Sequence, residues 1–290
     1  MRVLITGRHG QVSRELQRCL ADQAELLVLG QEQLDLGDAA AIRRQVRELK
    51  PDLLINAAAH TAVDQAQSEP ERAFAINATA PGVLAEEAAS LAVPLIHYST
   101  DYVFDGSKDA PYHEDDLTAP LGVYGRSKLA GEEAVRAVGG QHLILRTSWV
   151  YSTQGRNFLL TMQKLLAERD ELKVVDDQIG APTWAESIAE ATAALVRRWQ
   201  AGTPGAWGLY HFSAGGETSW FGFAQAIAAH LATQNRLRAQ LLPIPSSDYP
   251  TPAPRPLNSR LDCTRLQCEW GVSLPDWRAA LAQCLAGSPR

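Results

Sequence analysis

Tyr124 and Lys128, four residues apart in the run Tyr124-Gly125-Arg126-Ser127-Lys128, are the pair in this chain best spaced to do chemistry. Residues i and i+4 share one helix face, so a phenol and an ammonium there can point into the same cleft. A positive charge beside a phenol stabilises the phenolate; this should draw Tyr124 from about 10 towards neutrality and make it a workable proton donor to a carbonyl. The chain holds 7 tyrosines in 290 residues, and at its lysine content about 0.12 Tyr-x-x-x-Lys pairs are expected by chance. About 25 residues upstream, Tyr98-Ser99-Thr100-Asp101-Tyr102 ends an apolar run with hydroxyls, and Thr100 is the expected bridge between phenol and carbonyl. A hydroxyl capping local backbone has the same spelling, and Asp101 could equally be a structural carboxylate held by a backbone amide.

The second constellation is a glycine loop, Thr6-Gly7-Arg8-His9-Gly10-Gln11-Val12-Ser13, between a first strand and a first helix. Glycines there let the backbone approach a pyrophosphate at the helix N-terminus, and Gly7, Arg8, Gly10, Gln11 and Val12 are the candidate contacts. A tight strand-to-helix turn would read the same way. Dinucleotide folds usually place an acid after the second strand to bind the adenine ribose 2′-hydroxyl, but Gly30-Gln31 stands there. With no carboxylate and with Arg8 nearby to meet a 2′-phosphate, NADPH is the expected coenzyme and NADH the lesser one. Asp35 and Leu36 should cover the adenine, and Ala59, His60 and Thr61 should line the coenzyme. Trp149 follows a strand end and could stack on a sugar or base. Arg255 and Arg260 are suited to gripping a substrate diphosphate through paired hydrogen bonds.

The elements that must position these residues alternate. Strands are expected at 2–6, 25–29, 52–56, 94–99 and 142–147, with helices at 11–21, 38–49, 71–91 and 123–137. Strands apolar on both faces, alternating with helices, read as a doubly wound parallel α/β sheet of Rossmann type. Beyond Tyr151 the rhythm loosens: a helix at 157–169, a strand at 172–175, a turn-rich stretch 177–182, a long helix at 185–199, a strand at 209–212 and a helix at 218–232. The proline-dense segment 243–256 should be a surface loop or polyproline-like strap. The expected division is a dinucleotide-binding domain of 1–150 plus 184–214, and a smaller substrate-binding domain of 151–183 plus 215–290.

At 46% hydrophobic and 21% charged residues the chain has ordinary globular usage, which excludes disordered, collagen-like and disulfide-scaffold classes. A net charge of −6 with no basic run argues against a nucleic-acid partner. The 4 cysteines, Cys19, Cys263, Cys268 and Cys284, are placed too irregularly for a disulfide frame or zinc site and are expected as reduced thiols. No apolar run reaches the ~20 residues of a membrane span, so a cytoplasmic protein is expected.

Taken in order, the glycine loop, Asn56-Ala57-Ala58-Ala59, Asn77-Ala78-Thr79, Ser99-Thr100-Asp101-Tyr102-Val103-Phe104-Asp105-Gly106 and Tyr124-x-x-x-Lys128 resemble the extended short-chain dehydrogenase/reductases. More narrowly, Ala59-His60-Thr61-Ala62-Val63-Asp64, Arg146-Thr147-Ser148-Trp149-Val150-Tyr151, Asp177-Gln178-x-Gly180-x-Pro182-Thr183 and Arg255-Pro256-x-Asn258-Ser259-Arg260-Leu261 resemble the dTDP-4-dehydrorhamnose reductases, up to Leu274-Pro275-Asp276-Trp277. The resemblance implies NADPH- or NADH-dependent reduction of the 4-keto group of dTDP-6-deoxy-L-lyxo-4-hexulose to dTDP-L-rhamnose, for surface polysaccharide such as O antigen. It implies that Tyr124 protonates the sugar oxygen, Lys128 holds the nicotinamide ribose, Tyr98 lies along the coenzyme, Thr100 and Asp101 contact the sugar, and Trp149 lines the substrate pocket. Ser13 stands where a glycine is usual and should crowd the helix slightly while leaving the phosphate amides available. Some members hold Mg²⁺ between carboxylates at a subunit contact. Glu15 and Glu186 are possible ligands here, but the tail 286–290 offers no third carboxylate, so metal dependence and that dimer are expected to be weak or absent, leaving a monomer or weak homodimer. Two further readings remain: a non-catalytic regulatory subunit like the partner of methionine adenosyltransferase, and a nucleotide-sugar epimerase or dehydratase. The intact Thr100, Tyr124 and Lys128 favour an enzyme over the first, and the lack of a Glu after Asp101 disfavours elimination.

Overall fold

Residues 1–287 of the chain are described in a computed structural model. The first half alternates as its apolar runs require: β1 (Arg2–Thr6), α1 (Gln11–Leu20), β2 (Glu25–Leu29), α2 (Ala39–Leu49) and β3 (Leu53–Asn56). Asp38 opens α2 by accepting the Ala41 amide at 2.9 Å, one of the orphan donors of a helix start. Then come α3 (Val63–Ser68), α4 (Pro70–Phe74), α5 (Ala80–Ser90), β4 (Leu95–Thr100), α6 (Val123–Val138) and β5 (His142–Thr147). The helix expected over 71–91 is a corrected reading. It begins at Pro70 and is widened by a π turn over Ala75–Thr79, and α3 ahead of it was not foreseen. Asn77, fully buried in that turn, bonds to groups outside the helix, and a wider turn at such a position is common near functional sites.

The rest of the chain supplies β6 (Val150–Tyr151), α7 (Phe158–Glu168), β7 (Glu171–Val175), β8 (Ile179–Gly180), β9 (Thr183–Trp184), α8 (Ala185–Gln200), β10 (Gly208–His211), β11 (Thr218–Ser219), α9 (Trp220–Thr233), β12 (Gln240–Ile244), α10 (Thr264–Trp270) and α11 (Trp277–Ala286). The helix expected at 218–232 starts two residues later, because Ser219 caps it by accepting the Gly222 amide at 2.9 Å. The proline-dense stretch is not wholly loop: β12 carries Pro243 into a two-stranded parallel pairing with β7, where one face of the strand needs no amide donor.

The main sheet is six-stranded and parallel throughout, in the order β10-β5-β4-β3-β1-β2. The chain leaves β1 towards β2 on one side and returns to β3 on the other, which opens a crevice at the carboxyl ends of β1 and β3. Val3, Ile5 and Leu16 pack with Ile188 and Leu195 on one face, while Leu4 packs with Ile42 and Leu84 on the other. A separate core gathers Leu159 and Leu166 of α7, Phe223 and Ile227 of α9, and Trp277 and Leu281 of α11. Among the described residues, no helix is long and apolar enough to cross a membrane.

Candidate active site

The crevice begins at Gly7, whose φ of +82° is left-handed and whose missing side chain leaves room for Ala58, 2.9 Å from where a Cβ would stand. Any other residue would be strained and would push the β3 exit away. Gly10 then opens α1 with no side-chain cap, so the helix start presents unpaired amides to an anion. Ser13 is fully buried and accommodated, its Cβ 4.0 Å from the Cβ position of Gly10. A cleft of about 760 Å³ runs from Gly7, Gly10, Gln11 and Val12 past Ala59, Thr61 and Tyr98 to Thr100, Tyr124 and Lys128. A neighbouring cleft of about 350 Å³ is lined by Asp35, Leu36, Ala59, His60 and Arg72. The His60 ring is buried, and its Nδ1 has no hydrogen-bond partner. An uncapped helix start, a glycine cradle and an orphaned ring nitrogen together fit an extended phosphate-bearing dinucleotide.

A buried polar row holds the strand ends in register. Thr6 Oγ1 donates to Asn56 Oδ1 at 2.6 Å, and Asn56 Nδ2 lies 3.0 Å from His97 Nδ1. Burial holds His97 well below the usual imidazole range, with the nearby Lys128 charge adding to the effect, so the ring is neutral. Asn77 ties the coenzyme loop to α6: its Oδ1 accepts the His60 amide at 2.8 Å and its Nδ2 donates to Ser127 Oγ at 3.0 Å.

Helix α6 carries Tyr124 and Lys128 into the cleft, and its first amide is satisfied by Gln67 of α3, which accepts from Val123 at 2.6 Å. Lys128 is buried and donates to the Tyr98 carbonyl at 2.7 Å. Burial lowers its pKa to about 8, opposed by the Glu132 charge one turn along. Tyr124 stands edge-on to Tyr102, ring centroids 5.5 Å apart, with its hydroxyl in hydrogen-bond contact with Thr100. The expectation of a lowered phenol is overturned. Burial pushes Tyr124 up to about 12, with Asp101 raising it and Thr100 lowering it, because the ammonium is directed at a carbonyl. Asp101, itself buried, is pushed up to about 6 by desolvation, against hydrogen bonds from Ser259 and Thr100. Beneath them, Arg146 grips Glu132 with two bonds of 2.9 and 2.6 Å, and Ser99 adds a third at 2.5 Å.

Trp149 forms the opposite wall, stacked on Trp220 with centroids 3.7 Å apart and planes 10° from parallel. It adopts a left-handed φ of +47°, and Gly180 makes the space, since a Cβ there would stand 2.7 Å from the indole. Trp220 also faces the cleft, donating Nε1 to Gln178 at 3.2 Å, and sequence reasoning missed it. The only signal for it was its place at a helix start after a turn. Arg260 is not among the residues that line the cleft, whereas Arg255 stands over the ring of Tyr102, which does line it, its guanidinium carbon 6.0 Å from the ring centroid. Arg255 pairs with Asp64 at 2.9 Å, and Arg260 with Glu217 at 3.1 Å and the Asp109 carbonyl at 2.6 Å. Opposite charges within reach tie Arg260 into loop contacts, while Arg255 keeps a buried Nη1 with no hydrogen-bond partner. Glu15 and Glu186 are bridged by Arg18, and among the described residues no cluster of three or more acids, histidines or cysteines could hold a metal. Arg18 is the counter-charge of this pair within the chain; of the tail, residues 288–290 lie outside the described residues. Cys19, Cys263, Cys268 and Cys284 are free.

The expected gap at Gly30 is also corrected. Glu32 folds back so that both carboxylate oxygens lie 2.4 Å from where a Gly30 Cβ would be, and it pairs with Arg8 at 3.4 Å.

A family model described as the RmlD substrate binding domain matches residues 1–288. The dTDP-4-dehydrorhamnose reductase of Burkholderia thailandensis is 46% identical, across 98% of each chain. Among solved structures, the dTDP-4-dehydrorhamnose reductase of Clostridium acetobutylicum superposes with a TM-score of 0.92 at 34% identity, covering 99% of each chain. That of Bacillus anthracis, in complex with NADP, superposes at 0.89 and 33% identity over 98% of each.

Proposed function

The chain belongs to the dTDP-4-dehydrorhamnose reductase family, and we propose that Tyr124, Lys128 and Thr100 carry in it the reduction of a dTDP-linked 4-keto-6-deoxy sugar. It is an NADPH-dependent oxidoreductase acting on a nucleotide sugar. The observation that supports these roles is the meeting of Thr100, Tyr124 and Lys128 at the end of β4, in the same cleft as the Gly7–Val12 cradle.

The coenzyme supplies hydride to the ketone carbon when bound. Gly7, Gly10, Gln11 and Val12 would hold the pyrophosphate at the start of α1, and Asp35 and Leu36 would cover the adenine. Ala59, His60, Thr61 and Tyr98 line the rest of its course. Lys128, steadied by the Tyr98 carbonyl, would hold the nicotinamide ribose. Tyr124 donates its phenolic proton to the ketone oxygen; with a pKa near 12 the phenol is fully protonated at neutral pH, the state a donor requires. Thr100 orients that proton through its contact with the Tyr124 hydroxyl, and Asp101 contacts the sugar beside it. Trp149 covers the sugar ring, with Trp220 behind it. Residues 151–183 with 215–290 form the substrate-binding part, and the enzyme works as a cytoplasmic monomer or weak homodimer.

The test is to mix the protein with NADPH and the keto-sugar nucleotide, follow loss of reduced-coenzyme absorbance and identify the product. Tyr124→Phe should bind NADPH within about twofold of wild type and lose about three orders of magnitude in turnover, since the ring still packs but has no proton to give. Full turnover in that variant would remove Tyr124 from the role.

A further inference from the structure

We propose that Asp101 is the proton source behind Tyr124: a relay through the Thr100 hydroxyl refills the phenol in the same step that protonates the ketone, so that the negative charge ends on a carboxylate. The inference rests on Tyr124 being the immediate donor and concerns what stands behind it.

A line of oxygens runs across the end of β4. The Tyr124 hydroxyl is in hydrogen-bond contact with Thr100, and Thr100 Oγ1 lies 3.0 Å from Asp101 Oδ1. The Tyr102 amide donates to Thr100 Oγ1 at 3.2 Å. That bond holds the oxygen in place and leaves its other lone pair and its rotatable proton to the two flanking groups. Thr100 and Asp101 are buried, and both line the cleft with Tyr124. The titratable and charged groups that share this corner are Tyr102, Tyr124, Lys128, Arg255 and Asp64. Asp101 Oδ2 nonetheless has no hydrogen-bond partner. A buried carboxyl with one oxygen left unpaired is cheaper as the neutral acid than as the anion, in keeping with its rise to about 6.

The case for a relay is energetic. A charge left on Tyr124 would be the anion of an acid at about 12, and the Lys128 ammonium is directed at the Tyr98 carbonyl instead. Passing that charge on to Asp101 replaces it with the anion of a far stronger acid. As hydride passes from the reduced nicotinamide to the ketone carbon, oxidising the coenzyme, Tyr124 gives its proton to the ketone oxygen. The Thr100 proton moves to Tyr124 and the Asp101 proton to Thr100. Each O–H bond broken is matched by one formed, the ketone becomes an alcohol, and Asp101 is left as carboxylate. Water entering the cleft after product release returns the proton to Asp101.

The test is stopped-flow single-turnover reduction of the keto-sugar nucleotide by the NADPH-loaded full chain, from about pH 5 to about pH 8, in wild type, Asp101→Asn and Tyr124→Phe. The wild-type rate should fall about tenfold per pH unit above about 6, because the acid form is required. Lys128, at about 8, sets a separate limb common to both proteins. Asp101→Asn should lose the limb near 6 and react about two orders of magnitude slower than wild type at about pH 5, converging with it near pH 8, with NADPH binding within about twofold. If Asp101→Asn keeps that limb while Tyr124→Phe is inactive, the relay is overturned and Tyr124 stands as donor; full turnover in Tyr124→Phe removes both. A second measurement needs no variant. In wild type at about pH 5, the rate plotted against the deuterium fraction of the solvent should bow below a straight line, since more than one proton moves in the step. A straight line would leave only the Tyr124 proton in flight and would overturn the relay.

Discussion

Asp101 and Tyr124 share one environment and respond to it in opposite functional senses. Burial disfavours the charged form of each, so the phenol stays a proton donor, whereas the carboxyl is pushed up to about 6. The sign for stability follows directly. The native state holds the Asp101 proton more tightly than the unfolded chain, whose value is near 3.8, so its contribution is full below about pH 4 and is lost as pH rises through about 6. A rise of this size corresponds to about 3 kcal/mol. Urea unfolding of wild type and Asp101→Asn at pH 4 and pH 7 should show the variant missing that loss; equal pH slopes in the two proteins would contradict the desolvated carboxyl. The Tyr-x-x-x-Lys spacing was legible in the sequence, because i and i+4 share a face in any helix. The direction of the tyrosine's shift was not, because it depends on where Lys128 points, and that is set by the Tyr98 carbonyl on another element.

Helix α6 owes its position to two glycines that local propensity alone would count as weaknesses. A Cβ on Gly125 would stand 2.1 Å from the Tyr102 carbonyl oxygen, and one on Gly131 would stand 2.0 Å from that of Asn77. Backbone atoms of the turn after β4 and of the π turn therefore press directly on the helix that presents Tyr124 and Lys128. Gly131→Ala should gain helix propensity yet lose about 1–3 kcal/mol net through overpacking, read as a lowered melting temperature with weaker coenzyme binding. A more stable variant would show that the approach is not needed. The same contact explains why the helix expected over 71–91 is widened at Ala75–Thr79, where Asn77 must reach both His60 and Ser127. A helical period cannot announce a π turn, since its cause lies on the facing helix.

At the scale of the whole molecule, the cleft lies where the sheet changes direction and is closed off by Trp149 and Trp220. A coenzyme that binds only this folded arrangement must stabilise it by mass action. NADPH at a hundredfold excess over its Kd should add about 2.7 kcal/mol, checked by thermal melts at two coenzyme concentrations; a melting temperature indifferent to NADPH would count against the cleft as its site. The sequence by itself determined the alternation of the first half, the glycine loop and the Tyr124–Lys128 face, because each depends on periods and backbone freedoms within a few residues. It also carried the family, because that depends on ordered strings of residues. Only the tertiary structure decided that Arg260 pairs with Glu217, that Arg255 packs over Tyr102 with Asp64 as its counter-charge, that Trp220 stacks on Trp149, and that Glu32 stands in for the absent side chain of Gly30. Those outcomes turn on which charge or ring meets which across the fold, and electrostatic and packing partners far apart in sequence are chosen by the folded backbone.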